Sequence, residues 1–422
     1  MHNTRTRFGV VLACSLLWAG VAQAASVQLF NQDPADVGLN DQTQVTPVGG
    51  NTGTTLGEQR QIAISYAAAI LASRLGSPVP VRIGATFANS QGRLSCQADR
   101  ATLGTARPTQ FSVNFPKAKK ADTFYPIALA NAMRGERIAD VDDIALNFNP
   151  ELDEARANCL GGMTWYYGLD GNAGDGQVDF LGTAVHELTH GFGFVSTVAL
   201  QASTDRNGMS TRVGQFLRAS NGVRYPDIFS SFIQDLSLPG QPLWTQMTDQ
   251  SRANSLNNGP NVVWSNSVTN NAAGSVLTGG FSQGRVRLFA PSDADPGSSI
   301  SHWDTSLSPN EIMEPFATPD ASVLSGIGLS ACVLENMGWP LINNTRCPDE
   351  NSSTIAGEQE SSQPTVGTTH SPSGSSGNSD SGGSSGGGGC TISSDARFDP
   401  LWLVLLGVSM AVVGWRRHGR RA

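Results

Sequence analysis

Apolar side chains at Ile62, Ala63, Tyr66, Ile70 and Leu71 recur at the spacing of one helical face, which predicts a helix over Glu58–Leu75. Gly76-Ser77-Pro78 closes it, and the apolar-rich stretches Val79–Phe87 and Ile144–Phe148 read as strands. A second helix is predicted over Leu181–Gly191. It is preceded by the glycine-rich loop Asp170–Gly176 and the lead-in Gln177–Phe180, and Gly191 and Gly193 break it. From 194 to 301 the periodicity is weak and Asn, Ser and Gly are frequent, so this half is expected to be loop-rich, with short helices around Tyr225–Leu236 and Gln246–Leu256. The pattern as a whole is that of an α+β chain, with helix and strand alternating in its first half.

Three stretches fall outside that pattern. Residues 25–57 are polar and turn-rich and read as a loosely held arm or a pro-segment. Residues 348–389 are Ser, Gly, Thr and Asn with almost no large apolar side chain. They cannot bury enough surface to fold and read as a flexible linker. The two ends read as addresses. Arg5 and Arg7, the apolar run Phe8–Val21 and the small-residue site Ala22-Gln23-Ala24 make residues 1–24 a secretory signal. A lipoprotein reading of Cys14 is the less favoured alternative, because only six residues separate it from Arg7 and Leu12 fits the cleavage pattern poorly. At the other end Leu401–Trp415 precedes Arg416, Arg417, His418, Arg420 and Arg421. As a helix this run spans roughly 22 Å against ~30 Å of hydrocarbon, and the basic end belongs on the cytoplasmic side.

An exported chain makes its cysteines disulfide candidates. With Cys14 in the signal and Cys390 in the tail, Cys96, Cys159, Cys332 and Cys347 remain. Of three possible pairings, Cys96–Cys159 with Cys332–Cys347 is favoured because each bridge staples one part of the chain. The formal charge of −8 becomes −14 once Arg5, Arg7 and the four terminal arginines are set aside, a surface with no footprint for nucleic acid. Roughly 325 residues lie between signal and linker, enough for a large core or two subdomains.

The chemistry sits on the second predicted helix. His186-Glu187-Leu188-Thr189-His190 places two imidazoles four residues apart, on one helix face and within reach of one metal ion. Glu187 is the natural base for a metal-activated water. A catalytic zinc takes three protein ligands and keeps one position open. Of the remaining histidines, His2, His370 and His418 lie in signal, linker and tail, so His302 is the third ligand by elimination. Asp170, Asn172, Asp175 and Asp179 miss the spacing of a calcium loop, and Asp293 and Asp295 read as solvated loop residues. Asp304 and Glu311 are candidates to orient ligands. Trp303 is a candidate floor to the site, and a free Cys96 would be a metal shield were it not better placed in a disulfide.

These residues carry a resemblance. His186-Glu-x-x-His190-x-x-Gly193, a distant Ser301-His302-Trp303-Asp304 and then Asn310-Glu-Ile-Met313 resemble the leishmanolysin-like metzincins, whose third histidine follows a large insertion; here 111 residues separate His190 from His302. The resemblance covers about 160–195 and 290–340. It implies a two-subdomain zinc protease with His186, His190 and His302 as ligands of one Zn2+, Glu187 as base, Gly193 as the turn and Met313 as the Met-turn. No tyrosine follows at Met-x-Tyr, since Glu314-Pro315 stand there. Gly389-Cys390-Thr391, Asp399-Pro400, the apolar run and the arginine cluster resemble the JDVT-type sorting tails of Gram-negative bacteria, which implies a membrane protease acting near Cys390; the alternative is a plain membrane anchor.

The expected organisation is a signal (1–24), an arm or pro-segment (25–57), an upper subdomain with the active-site helix (58–193), a lower subdomain with third ligand and Met-turn (194–347), a linker (348–389) and a membrane-directed sorting tail (390–422). The expected function is a zinc endopeptidase acting on polypeptide substrates at the cell envelope or released from it. Its alternatives are a catalytically silent, zinc-containing surface adhesin and a zinc amidase or esterase.

Overall fold

Four strands form the central sheet in the order β1-β2-β7-β4. Strands β1 (Val27–Asn31), β2 (Val81–Thr86) and β7 (Ile144–Phe148) run parallel, and β4 (Gly104–Pro108) closes one edge antiparallel to β7, with Gly104 opposite Phe148. The computed structural model describes residues 24–88, 94–154, 157–204, 210–318, 323–342, 347–348 and 391–393. The expected signal segment before Ala24, the apolar run Leu401–Trp415 and Cys390 lie outside them. No helix among the described residues is long and apolar enough to cross a membrane.

Between β1 and β2 the chain forms α1 (Leu56–Ala72), which begins with Thr55 accepting the Glu58 N–H while the Glu58 carboxylate accepts the Thr55 N–H. The helix α3 (Phe180–Phe192) lies beside α1 and packs on β4 and β7. Between them come β3 (Arg100–Thr102), the hairpin of β5 (Phe111–Val113) and β6 (Phe124–Pro126), α2 (Ile127–Arg134), and the pair β8 (Thr164–Tyr166) and β9 (Gln177–Asp179). Phe180, at the first turn of α3, is fully buried among the rings of Phe87, Phe148, Trp165 and Tyr167, with centroids 4.6 to 5.6 Å away. That contact fixes where α3 starts on the sheet. Burial of one such ring contributes about 2–3 kcal/mol.

The stretch 25–57, expected as an arm or pro-segment, is built into this core. It supplies β1, and it buries Leu39 completely. Its grip on α1 is polar, which is why no apolar pattern revealed it. The Arg60 guanidinium is buried and donates to the Gly38 carbonyl at 2.5 Å, to Tyr167 at 3.2 Å and to Asp153 at 2.7 Å, and it lies over the Phe87 ring. Asp153 also accepts the Tyr167 hydroxyl. Removing one member of a buried ion pair strands the other, at a cost of about 3–5 kcal/mol. Arg60→Ala is therefore expected to lower stability by that order in a denaturant titration, and a change below about 1 kcal/mol would contradict the arrangement.

The second half of the chain is loop-rich, as expected, but its helices differ. The expected helix over Tyr225–Leu236 is absent. Pro226 and Ile228 instead pair with Phe124, Ser230–Phe232 make one tight turn, and Ile233–Asp235 pair antiparallel with Val262–Trp264. Ile228, Phe229, Phe232 and Ile233, at i, i+1, i+4 and i+5, mimic a helix face over so short a run. The expected helix at Gln246–Leu256 exists as α4 (Asp249–Ser255), shortened because Thr248 caps it. Two further helices, α5 (Ser267–Val276) and α6 (Ser330–Met337), were not predicted.

Both favoured disulfides are formed. Cys96–Cys159 staples the upper part, and Cys332–Cys347 ties α6 to the segment fifteen residues on. The bonded state of Cys96 rules it out as a metal shield. Residues Thr391–Ser393 form a strand antiparallel to β3, with Ile392 opposite Ala101, so the chain beyond the Ser/Gly-rich stretch returns to the upper part.

Candidate metal centre

Asp179 starts the helix that carries the site. Its carboxylate accepts the Leu181 N–H at 3.2 Å and the Gly182 N–H at 3.0 Å, an N-cap that satisfies two otherwise orphaned donors. Burial pushes this carboxyl up, and those two N–H groups draw it back. Asp170 accepts the Tyr166 hydroxyl and the Asn172 N–H. Two of the four loop residues weighed as calcium ligands thus have local partners. At its other end α3 stops at Gly193, whose φ of +128° suits glycine. A Cβ there would also meet Pro126 at 3.0 Å and Met337 at 3.1 Å. The chain can therefore turn sharply beneath the helix only with glycine at this position.

After that turn the chain enters a second aromatic cluster. Phe194 packs on Phe229 and Trp303, and Trp264 contacts both of those rings. Trp303 is fully buried there, one residue beyond His302. The cluster joins the exit of α3 to the segment carrying the third histidine, across the 111 intervening residues.

The result is a convergence of three imidazoles. The Nε2 atoms of His186, His190 and His302 lie 3.1 Å from one another in all three pairs. Each ring uses its other nitrogen on a backbone carbonyl: His186 Nδ1 on Ile312 at 2.6 Å, His190 Nδ1 on Phe194 at 2.7 Å and His302 Nδ1 on Ser298 at 2.7 Å. A carbonyl only accepts, so each Nδ1 must carry the proton, and each neutral ring keeps a bare lone pair on Nε2. Three lone pairs facing one another inside the protein repel unless a cation sits among them. The arrangement fits a metal. A triangle of this size has a point about 2 Å from each corner, the length of a metal–imidazole bond.

Electrostatics favour the same protonation state. Burial, only partly opposed by the Ile312 carbonyl, holds His186 down to about 4. Burial and the neighbouring rings hold His190 and His302 well below the usual histidine range. All three therefore stay neutral, as metal ligands must. Glu187, next to His186 on α3, is fully buried, and β4 passes close by: a Cβ built on Gly104 would lie 3.0 Å from the Glu187 side chain. Among the described residues, these three histidines are the group of His, Cys, Asp and Glu side chains close enough to hold an ion.

The remaining expectations sort on this geometry. Met313 is fully buried between two contacts to the site's segments. Its carbonyl accepts the Trp303 N–H at 2.8 Å, and its neighbour Ile312 holds His186. Asp304 instead accepts the backbone N–H and the hydroxyl of Ser306, and Glu311 accepts the Leu329 N–H. With every Nδ1 proton already on a carbonyl, neither carboxylate is left a ligand to orient. Asp295 shapes the loop before His302, its carbonyl accepting from Ser298 and Ser299. The residues that orient the ligands, Ile312, Phe194 and Ser298, were missed because they act through main-chain carbonyls, which every residue has.

No family model matches the chain, and neither a curated protein nor a solved structure matches it.

Proposed function

We propose that the chain is a zinc-dependent endopeptidase whose ligands are His186, His190 and His302 and whose base is Glu187. The observation that carries this reading is the meeting of three neutral, carbonyl-anchored imidazoles at 3.1 Å beside a buried carboxylate on the same helix. Three histidines with a fourth position open is a donor set of catalytic zinc, whereas structural zinc is usually closed by four protein ligands. The resemblance of the motifs to the leishmanolysin-like metzincins, with their two subdomains, agrees with it.

When bound, zinc supplies a Lewis acid that polarises the peptide carbonyl and makes water acidic, toward a pKa of about 7. The rest falls to the chain itself. The carbonyls of Ile312, Phe194 and Ser298 hold the three rings so that only Nε2 faces the metal. The Glu187 carboxylate takes the proton from the attacking water and returns it to the leaving amine nitrogen. Strand β4 stands at the edge of the sheet beside Glu187, and an edge strand is a template on which an extended polypeptide can align. That favours a peptide substrate over a small amide or ester.

We place the protein outside the cytoplasm, at the cell envelope or released from it. Two disulfides support an oxidising compartment. Signal, linker and sorting tail then give the route: export, display on the Ser/Gly-rich stretch, a membrane contact through the tail and processing by a sorting protease near Cys390.

The test is metal content together with hydrolysis of casein and of small amide and ester substrates by the purified protein. One zinc per chain with internal cleavage of casein is expected. Zinc without any hydrolysis would replace this reading with the silent adhesin, and turnover of esters or amides alone would replace the substrate class.

A further inference from the structure

His302 reaches the centre from a segment far along the chain, so something must hold that segment against the turn after α3. Part of that hold is a run of buried hydrogen bonds. The Ser196 N–H donates to Ser301 Oγ at 3.1 Å, one residue before the ligand. The Ser196 hydroxyl lies 2.8 Å from that of Ser230, which itself lies 2.7 Å from Asp227 Oδ2. Oδ2 also accepts the Thr197 N–H at 2.9 Å and the Thr197 hydroxyl at 2.7 Å, while Oδ1 accepts the Ser230 N–H at 2.7 Å. The proton directions follow from the acceptor-only carboxylate. Ser230 gives its proton to Asp227, so Ser196 gives its own to Ser230, and the Val198 N–H donates to Ser196 Oγ at 3.2 Å. Asp227 and the three serines are all buried.

Resting on the metal reading above, we propose that Asp227 is a positioning residue for the metal centre: it locks residues 196–198, which leave the active-site helix, to Ser301 and thereby places His302. The carboxylate is required by its surroundings. Both oxygens face donors, so an asparagine in either orientation turns an N–H2 group toward an N–H or O–H donor. The Ser298 carbonyl sets the rotation of the His302 ring, and Ser301 sets where its backbone lies. A shift of a few tenths of an ångström in that backbone moves one corner of the Nε2 triangle away from the point the other two share.

The experiment compares Asp227→Asn and Ser301→Ala with Asp235→Asn. Asp235 is a matched control. It is equally buried, in the same half of the chain, and its carboxylate accepts from Ser237, Ser255 and Asn258, none of which, among the described residues, is hydrogen-bonded to 196–198 or 298–302. Zinc affinity of the full chain is measured by competition with a chromophoric chelator, well below each variant's melting temperature, with wild type and His302→Ala alongside. Asp227→Asn and Ser301→Ala are expected to weaken zinc about 10- to 100-fold, the range for groups that hold ligands in place. Asp235→Asn is expected to change it less than about twofold while losing comparable stability. Equal affinities for Asp227→Asn and Asp235→Asn, or an unchanged Ser301→Ala, would overturn the proposal. If Asp227→Asn does not fold, Ser301→Ala decides it. A wild type that binds no zinc, or a His302→Ala that binds it as tightly, overturns the metal reading itself, so the two failures are distinguishable.

Discussion

Glu187→Ala should retain one zinc per chain and lose peptide hydrolysis by about 10³-fold. The metal is retained because all three imidazoles keep their carbonyl anchors: none of the three depends on the Glu187 side chain for its tautomer. Turnover falls because no other group is assigned to take the water's proton, and a positioned general base is worth about 10²–10⁴ in rate. The substitution also empties a fully buried side-chain position beside Gly104, so the fold of the variant is checked by melting. The measurement is kcat/KM on a peptide substrate, with metal content and thermal melting on the same preparation. Hydrolysis within tenfold of wild type would remove Glu187 from the mechanism. Loss of the zinc as well would mean that it serves the metal and not the reaction.

His302→Ala should remove both metal and activity. Two imidazoles four residues apart on a helix remain, but the third corner of the triangle, 3.1 Å from each, is gone. The expected loss of zinc affinity exceeds about 100-fold, more than the loss of a supporting hydrogen bond produces. A buried ring is also deleted, so some loss of stability follows, about 2–4 kcal/mol on the scale of large-to-small substitutions. Circular dichroism and melting separate the two effects: a folded variant without zinc supports the assignment. Unchanged zinc binding would require another ligand in place of His302.

How far the sequence foretold this arrangement depends on which atoms carry it. The helix with His186, Glu187 and His190 was legible because apolar spacing, a glycine-rich approach and a glycine exit all agree, and the observed Phe180–Phe192 differs from the expected span by one residue at each end. His302 was legible through the scarcity of histidine. Strands β2 and β7 showed as short apolar runs with turns around them. The role of 25–57 did not show, because Arg60, Gln59 and Asn51 hold that stretch by hydrogen bonds to main-chain carbonyls. Strand β4 did not show either. Gly104-Thr-Ala-Arg-Pro108 has little strand propensity and is set by its pairing with β7. In the second half, polar networks around Asp227 and Asp235 override the helical appearance of the local sequence, and such networks leave no periodic trace.

The separation of His190 from His302 sets an order of events in time. In an unfolded chain the two are the ends of a long flexible loop, and closing a loop of roughly 100 residues costs about 4.7 kcal/mol of chain entropy. The pair on α3 is local and arrives early; the third corner arrives only when the Phe194, Phe229, Trp264 and Trp303 rings have met. For the exported enzyme proposed above, a newly made chain would thus pass through a stage in which Glu187 is in place on its helix and the ligand set is incomplete. For that proposed enzyme, latency would come from chain entropy and end when the two ring-bearing segments join. Cutting away 25–57 would take β1 out of the sheet.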